Sequence, residues 1–256
     1  MLKSLDKLES DQYPRRLNMF STFTTPLKTY ALKVGKFVCN KFGIAEFFAR
    51  SLTSLPVTCK KVLDVGCGAG PLMIFLADQY GVQVTGVELN AEACRCCRDN
   101  MSKLACSGMN TVFEGEFSSF AQICADAKFD LIVSNPPLDE TVTSSDISYY
   151  NAKGFAQLDG ESFSYVTNSW HDKAGNDLLD QIFDYSVGHL TSDGMIAIAF
   201  CEIDGAKLSL VETKANKYGF RLLHSISGTI PPASIGAETV TTTDVIAHYA
   251  VFKRSF

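Results

Sequence analysis

From residue 60 onward, short runs of apolar residues alternate with segments whose apolar residues recur at helical spacing. The apolar runs predict seven strands, at Lys61–Val65, Val82–Glu88, Thr111–Glu114, Phe129–Ser134, Met195–Cys201, Phe220–Ser227 and Asp244–Phe252. The segments between most of them predict five helices, at about residues 70–80, 91–104, 117–126, 174–190 and 204–218. Short apolar strands that alternate with amphipathic helices are typical of a parallel sheet covered on both faces. We therefore predict an α/β fold with a doubly wound, mostly parallel seven-stranded sheet.

The two ends of the chain depart from this alternation. The last two predicted strands are separated only by a stretch rich in Pro, Gly and Thr, Thr229–Thr243, which favours a C-terminal antiparallel hairpin. Residues 26–55 carry apolar residues at helical spacing and are interrupted at Gly43, so they predict two N-terminal helices. The sequence thus predicts a helical cap over residues 1–55 and an α/β domain over residues 56–256.

One predicted connection is much longer than the others. About 40 residues, at 136–173, separate the fourth strand from the next helix, and connections longer than roughly 15 residues are usually lids or binding loops. This segment is rich in aromatic residues: Tyr149, Tyr150, Phe155, Phe163, Tyr165 and Trp170. His171 and Asp172 at its end are candidates for a base. We predict a lid here, and the alternative is an insertion that packs on the core.

Composition and charge narrow the classes of function. Of the 256 residues, 46% are hydrophobic and 20% charged, which excludes a disordered or collagen-like chain. No apolar run approaches the roughly 20 residues that span a bilayer, so we expect no membrane partner. A net charge of −5 argues against nucleic acid as a partner, because phosphate binding needs clustered Lys and Arg. Nine cysteines, with no secretory pattern at the start, predict free thiols in the cytoplasm. Cys94 and Cys97 form an isolated C-x-x-C pair, so we predict no metal site.

The first two predicted strands end in features that suit a nucleoside ligand. The first runs into D-V-G-C-G-A-G, residues 64–70, ahead of an apolar helix. Its glycines permit a tight turn and close approach of a ligand, next to the unpaired N–H groups of a helix N-terminus. The second strand ends at Glu88, 18 residues after Gly70. A carboxylate at this position can accept hydrogen bonds from both hydroxyls of a ribose.

The third and fourth strands also end in candidate site residues. The third is followed by Glu116 and Phe117. Glu116 can accept a hydrogen bond from the amino group of an adenine, and Phe117 can cover the adenine ring. The alternative is that Glu116 is simply an acid at a helix start. The fourth strand ends in S-N-P-P, residues 134–137, where the prolines hold Asn135 in one orientation. Its amide can orient a nitrogen that carries N–H groups, and the alternative is a rigid turn with a capping Asn.

These motifs have the order and spacing of the Rossmann-like, class I S-adenosylmethionine (SAM)-dependent methyltransferases, over roughly residues 60–256. Asn-Pro-Pro resembles the enzymes that methylate nitrogen, namely the release-factor glutamine and adenine-N6 methyltransferases. The resemblance implies SAM as cofactor. It implies a cofactor site formed by Asp64, Gly66, Gly68, Gly70, Glu88, Leu89, Glu116, Phe117 and Asn135. It implies catalytic candidates at Asn135 and Pro136, to which the predicted lid adds Tyr149, Tyr165 and His171.

The sequence departs from these families at Leu138, where they carry an aromatic residue that stacks on the planar acceptor. We therefore predict N-methylation of a small molecule or a protein side chain. One alternative is a SAM cyclase. In such an enzyme the amine of SAM attacks the γ-carbon of the same molecule, and azetidine-2-carboxylate and methylthioadenosine are released. The other is a non-catalytic module that binds SAM or a partner. The N-terminal helices also offer a surface for oligomer formation.

Overall fold

A computed structural model describes residues 19–35, 41–53, 59–104, 109–136, 178–202, 207–231 and 244–255. Its strands, in chain order, are β1 (Met19–Thr24), β2 (Thr29–Val34), β3 (Lys61–Val65), β4 (Gln83–Glu88), β5 (Thr111–Glu114), β6 (Phe129–Ser134), β7 (Leu190–Cys201), β8 (Phe220–Ile230) and β9 (Val245–Arg254). Its helices are α1 (Gly43–Leu52), α2 (Pro71–Tyr80), α3 (Ala91–Met101), α4 (Phe117–Ile123), α5 (Leu178–His189) and α6 (Leu208–Lys217). All seven strands predicted after residue 60 are present.

The main sheet has the strand order β5-β4-β3-β6-β7-β9-β8. The first five strands in that order are parallel, and β9 pairs antiparallel with both β7 and β8. This confirms the predicted doubly wound α/β fold with its C-terminal hairpin. The chain order reverses between β3 and β6, and ligands of such sheets bind outside the carboxyl ends of the strands at this switch point.

Both faces of the sheet are buried, which explains why its central strands are apolar at consecutive positions. Val62 and Val133 point into a core shared with α1, α2 and α3. Leu63 and Ile132 point into a second core shared with α4, α5 and α6. None of the helices in the described ranges combines the length and apolarity needed to cross a membrane.

The N-terminal region differs from its prediction. β1 and β2 form an antiparallel hairpin, and only α1 corresponds to a predicted helix. Tyr30 and Val34 fit helical spacing, but together with Leu32 they also alternate along a strand, and all three are buried. Leu27, which the helical pattern places on the same face, is exposed. The helix predicted before Gly43 is therefore wrong, because packing selected the period of two. The domain boundary at residue 56 stays a prediction.

A partly buried cluster of ion pairs joins α5 and α6. Asp180 accepts hydrogen bonds from Lys214 Nζ at 2.7 Å, Lys217 Nζ at 3.0 Å and the Tyr218 hydroxyl at 3.0 Å. Burial opposes its ionisation, but these hydrogen bonds outweigh burial and lower the pKa of Asp180 to about 2. The carboxylate therefore stabilises the fold above the unfolded pKa of about 4, and that contribution is lost as the pH falls through about 2.

We expect Asp180→Asn to lower the free energy of unfolding by about 2 kcal/mol at pH 7, because the charge-assisted bonds from α6 are lost. The measurement is urea denaturation at pH 7 and at pH 3, where the difference between variant and wild type should shrink. Asp184→Asn, one turn further along α5 and exposed, is the matched control and should change little. Equal losses in the two variants would contradict this account.

Candidate functional site

The glycine-rich loop between β3 and α2 is held against the end of β4. The backbone N–H groups of Gly66 and Cys67 both donate to the Val87 carbonyl, at 2.8 and 3.1 Å. The Gly68 N–H donates to Glu88 Oε2 at 2.9 Å. Gly66 and Gly68 have φ angles of +75° and +54°, and a Cβ added at either would meet no described atom within 4 Å. The turn therefore favours glycine, and the described residues leave space beside its backbone.

Gly70, the third glycine, has a different surrounding. Its φ is +86°, and a Cβ added there would lie 2.6 Å from Cys97 Sγ in α3. Pro71 follows as the first residue of α2. Gly70 thus allows the start of α2 to pack closely on α3, and a cofactor contact at this residue stays a prediction.

Asp64 lies in β3, two residues before Gly66 begins the turn. Its side chain is buried, and its Oδ2 atom has no hydrogen-bond partner among the described residues. Burial, together with the nearby charge of Glu88, raises the pKa of Asp64 to about 8. A buried polar atom without a partner is rare in folded proteins. A ligand that brings a positive charge or an N–H group to this point would satisfy it.

Glu88 ends β4 on the other side of the loop. Its Oε1 accepts the Asn90 N–H at 2.8 Å, Oε2 accepts that of Gly68, and the Leu89 N–H also bonds to this carboxylate. Burial raises the pKa of Glu88, and the three N–H groups oppose that shift. Each carboxylate oxygen has two lone pairs, so the side chain keeps acceptor capacity for hydroxyl groups of a ligand.

Asn135 follows β6 at the same edge of the sheet. Ser134, fully buried, donates its hydroxyl to the Val65 carbonyl at 2.7 Å and so ties the end of β6 to the end of β3. Asn135 is half-buried and Pro136 is buried. Because Val65 and Ser134 are paired in the sheet, Asn135 leaves β6 where Gly66 begins the loop.

Glu116 and Phe117, the residues predicted to contact an adenine, each have a structural role in the fold. Glu116 is exposed and precedes α4, and its carbonyl accepts the N–H groups of Ser119 and Phe120 at 3.1 Å each. The Phe117 ring is buried, with ring centres 6.1 Å from Phe120 and 5.4 Å from Tyr185. Glu116 therefore lies at the start of a helix, which is the alternative interpretation given for it above. Phe117 contributes to the core. Contacts of either residue with an adenine stay predictions.

Several predicted site residues lie outside the described residues. They are Tyr149, Tyr165, His171 and Leu138, together with the rest of the predicted lid after Pro136. The site described here therefore consists of the ends of β3, β4 and β6 and the loop between β3 and α2. Within the described ranges, no three His, Cys, Asp or Glu residues are grouped so as to hold a metal ion.

Asn100 in α3 is a site residue that motif analysis misses. It is buried, and its amide bonds to the backbone of Lys33 in β2 and to the Ala69 carbonyl in the glycine-rich loop. The signal in the sequence is a polar residue on the apolar face of a helix, between Cys97 and Met101. That signal indicates a buried hydrogen bond, but it does not identify the partner.

Residues 43–150 match the sequence profile of the methyltransferase small domain family. The matched segment contains the glycine-rich loop, Glu88 and the Asn-Pro-Pro motif. The match covers less than half of the 256 residues, so it shows a similarity to that family within residues 43–150. The predicted resemblance to SAM-dependent methyltransferases is therefore confirmed, and it implies a transferase activity with SAM as cofactor.

This chain has relatives whose names give different substrates. It is 35% identical over 175 residues to a tRNA1(Val) (adenine(37)-N6)-methyltransferase from Photorhabdus laumondii, covering 67% of this chain and 63% of the relative. It is 38% identical over 81 residues to a release factor glutamine methyltransferase from Vibrio cholerae, covering 31% of this chain and 27% of the relative. The matched segment is thus less than two thirds of either relative's length. A solved methyltransferase from Pyrococcus furiosus has the same fold, with a TM-score of 0.52 at 18% identity over 86% of this chain and 88% of that one.

The prediction that argued against nucleic acid is wrong. The Photorhabdus laumondii relative, which matches this chain over 175 residues, is named for an adenine in a tRNA. The net charge of −5 describes the whole chain, whereas phosphate contacts depend on where the 23 Lys and Arg residues lie. A methyltransferase that takes a single base into its active site also depends on contacts with that base, which need no net positive charge.

We expect Gly68→Ala to weaken SAM binding by about tenfold, because a Cβ is strained at positive φ and the turn that presents the loop backbone must shift. Gly81→Ala is a matched control at the C-terminal end of α2: its φ is +64°, and a Cβ there also meets no described atom within 4 Å. Isothermal titration calorimetry should show weaker binding for Gly68→Ala only, at similar losses of stability. Equal affinities in the two variants would contradict a role for the loop in binding.

Proposed function

We propose that this protein methylates the exocyclic N6 amino group of an adenine in RNA, with SAM as the methyl donor. The observation that carries the proposal is the position of Asn135, which leaves β6 beside the glycine-rich loop. The likeness to an adenine-N6 methyltransferase over 67% of the chain supports the choice of acceptor. The predicted small-molecule acceptor has no such support.

The residues at the ends of β3 and β4 fit the cofactor. Among the described residues, Gly66 and Gly68 leave space beside the loop backbone, and the buried Asp64 Oδ2 has no hydrogen-bond partner. These residues would hold the charged methionine part of SAM. The Glu88 carboxylate would hold its ribose hydroxyls. When bound, SAM supplies a methyl group on a positively charged sulfur, which makes that carbon electrophilic without acid catalysis.

Asn135 and Pro136 would position the acceptor. The side-chain oxygen of Asn135 and the Pro136 carbonyl can each accept one N–H of an amino group. Two such bonds fix the nitrogen and favour a lone pair that points away from both acceptors. As the nitrogen takes the methyl group, the carbon–sulfur bond would break with its electron pair staying on sulfur, so that S-adenosylhomocysteine is left. One of the N–H protons would become acidic and leave to solvent. The contribution of the protein is then mainly to orient two reactants, an effect worth up to roughly 7–11 kcal/mol.

The proposal is tested by incubating the protein with SAM and a pool of unmodified tRNA transcripts, followed by mass spectrometry of the digested nucleosides. We expect N6-methyladenosine with wild-type protein, and at least about a hundredfold slower formation of it with Asn135→Ala. A methylated nucleoside other than N6-methyladenosine would overturn the proposed acceptor atom. No RNA methylation with any transcript would overturn the proposed substrate.

A second candidate acceptor is the amide nitrogen of a glutamine side chain in a protein. It is favoured by the 38% identity to the release factor glutamine methyltransferase, although that match covers only 81 residues. Like the amino group of adenine, this nitrogen is planar and carries two hydrogens, so Asn135 could orient either one. Replacing the transcripts by purified release factors, and mapping methyl groups by peptide mass spectrometry, distinguishes the two acceptors.

We also propose that the protein works in the cytoplasm. The cysteines in the described ranges are all free thiols, which suits a reducing compartment. The SAM cyclase hypothesis stays a prediction: incubation with SAM alone would yield methylthioadenosine if it holds.

A further inference from the structure

The N-terminal hairpin and the glycine-rich loop meet at one buried side chain. Asn100 Oδ1 accepts the Lys33 N–H at 2.8 Å, and Asn100 Nδ2 donates to the Lys33 carbonyl at 2.9 Å. Nδ2 also donates to the Ala69 carbonyl at 3.0 Å. Asn100 itself is only 2% exposed. One amide therefore bonds to β2 and to the loop at the same time.

The chemistry of this contact is specific to an amide. A side-chain amide has the donor and acceptor of a peptide group, so Asn100 pairs with Lys33 as one residue of a neighbouring strand would. The remaining hydrogen on Nδ2 is directed at Ala69, which lies between Gly68 and Gly70. The described contacts use three of the four hydrogen-bonding positions of the amide. An aspartate of the same shape would keep the acceptor but place a carboxylate oxygen against two carbonyls.

The hairpin is also anchored at points away from the loop. The Tyr30 hydroxyl donates to Asp78 Oδ2 at 2.7 Å near the end of α2, and the Thr24 N–H donates to Glu46 Oε1 at 2.7 Å in α1. The other end of β2 lies against α3, because a Cβ at Gly35 would come within 2.2 Å of the Glu92 side chain. The hairpin is therefore held across the helices on this face, and Asn100 is its described hydrogen-bonded link to the loop.

We propose that the N-terminal hairpin helps to hold the glycine-rich loop of the cofactor site in its binding conformation. Asn100 is the positioning residue that couples the hairpin to the loop. Order in β2 fixes the Asn100 amide, and the amide fixes the Ala69 carbonyl and with it the conformation of the loop. Linkage then requires the reverse effect, so that a bound cofactor slows opening of the hairpin. This inference rests on the proposed use of SAM, but it does not depend on which acceptor is methylated.

The test compares Asn100→Asp with two control variants of the full chain. Asn216→Asp makes the same chemical change at an exposed position near the end of α6. Asp180→Asn lowers stability on the opposite face of the sheet, away from the loop. Each protein is titrated with SAM by calorimetry, and its thermal midpoint is measured without ligand. Hydrogen exchange of peptides covering residues 19–35 is followed with and without saturating SAM.

We expect Asn100→Asp to raise the SAM dissociation constant at least about tenfold and to abolish the SAM-induced slowing of exchange in the hairpin. Asn216→Asp should change neither quantity. Asp180→Asn should lower the thermal midpoint while leaving the dissociation constant unchanged, which separates lost stability from lost coupling. In steady-state assays, Asn100→Asp should raise the KM for SAM more than it lowers kcat.

Two results would overturn the inference while the proposed function stands. One is an Asn100→Asp protein that binds SAM like the wild type. The other is a wild-type protein that binds SAM without any slowing of exchange in residues 19–35, and this result decides the question even if the variant does not fold. Absence of SAM binding by the wild type would overturn the inference and the proposed function together.

Discussion

Asp64→Asn is expected to stabilise the ligand-free protein at pH 8 and to remove its measurable binding of SAM. Burial and the Glu88 charge raise the pKa of Asp64 to about 8, against about 4 in an unfolded chain. Below pH 4 the group is protonated in both states and this burial costs nothing. As the pH rises from 4 to 8, the unfolded state ionises first, so stability falls by up to about 1.4 kcal/mol for each pH unit. A neutral Asn removes that loss.

The same group should make SAM binding depend on pH. A positive ligand favours the ionised carboxylate, so binding releases a proton and should tighten between pH 6 and pH 8 in the wild type. In Asp64→Asn this attraction is gone, and we expect the dissociation constant to rise at least about a hundredfold. The loss of binding and the gain in stability therefore share one cause, the buried Asp64 carboxylate, whose Oδ2 has no hydrogen-bond partner among the described residues.

Thermal unfolding from pH 5 to pH 9 and calorimetry with SAM check both parts. The midpoint of Asp64→Asn should exceed that of the wild type by several degrees at pH 8 and by little at pH 5. Asp126→Asn, in the exposed turn after α4, is the control and should follow the wild type at every pH. A wild-type midpoint that stays constant or rises relative to Asp64→Asn up to pH 8 would contradict the raised pKa.

Asn135→Ala is expected to lower the rate of methyl transfer by roughly 10²–10³, with a change of less than about threefold in the SAM dissociation constant. In the proposed mechanism the amide orients the acceptor nitrogen, whereas the proposed cofactor contacts come from β3, β4 and the loop between β3 and α2. Ser134, which pins the end of β6 to Val65, stays in place, so the backbone at this position should be retained.

Single-turnover methylation with saturating SAM and RNA measures this effect apart from binding. Asn216→Ala, on the exposed side of α6, is the control and should transfer the methyl group at the wild-type rate. If Asn135→Ala loses affinity for SAM and keeps its rate of transfer, Asn135 contacts the cofactor rather than the acceptor. Our assignment of Asn135 to the acceptor would then be wrong.

The sheet and the positions of the candidate site residues could be predicted, because both depend on residues that lie close together in the sequence. Strands buried on both faces are continuous apolar runs, and a turn that needs positive φ requires glycine at Gly66 and Gly68. The carboxyl ends of parallel strands meet at one edge, so Asp64, Glu88 and Asn135 had to converge there. None of these inferences needed knowledge of which helix packs on which strand.

The features that were mispredicted or missed depend on distant contacts. Tyr30 and Val34 suit both a helix and a strand, and packing of β2 on α3 decides between them. Gly70 has the sequence signature of a ligand-binding glycine, yet its Cα faces Cys97, which lies 27 positions later. Asn100 bonds to residues 67 and 31 positions away, which no local spacing reveals.

We infer that the carboxyl ends of β3, β4 and β6 form a SAM site with Asn135 facing the acceptor. A crystal structure with S-adenosylhomocysteine, the demethylated product, tests it most directly. We expect the amino group of the ligand near Asp64, its ribose hydroxyls on the Glu88 carboxylate and its sulfur facing Asn135. A ligand bound elsewhere, or one whose sulfur faces away from Asn135, would contradict the account.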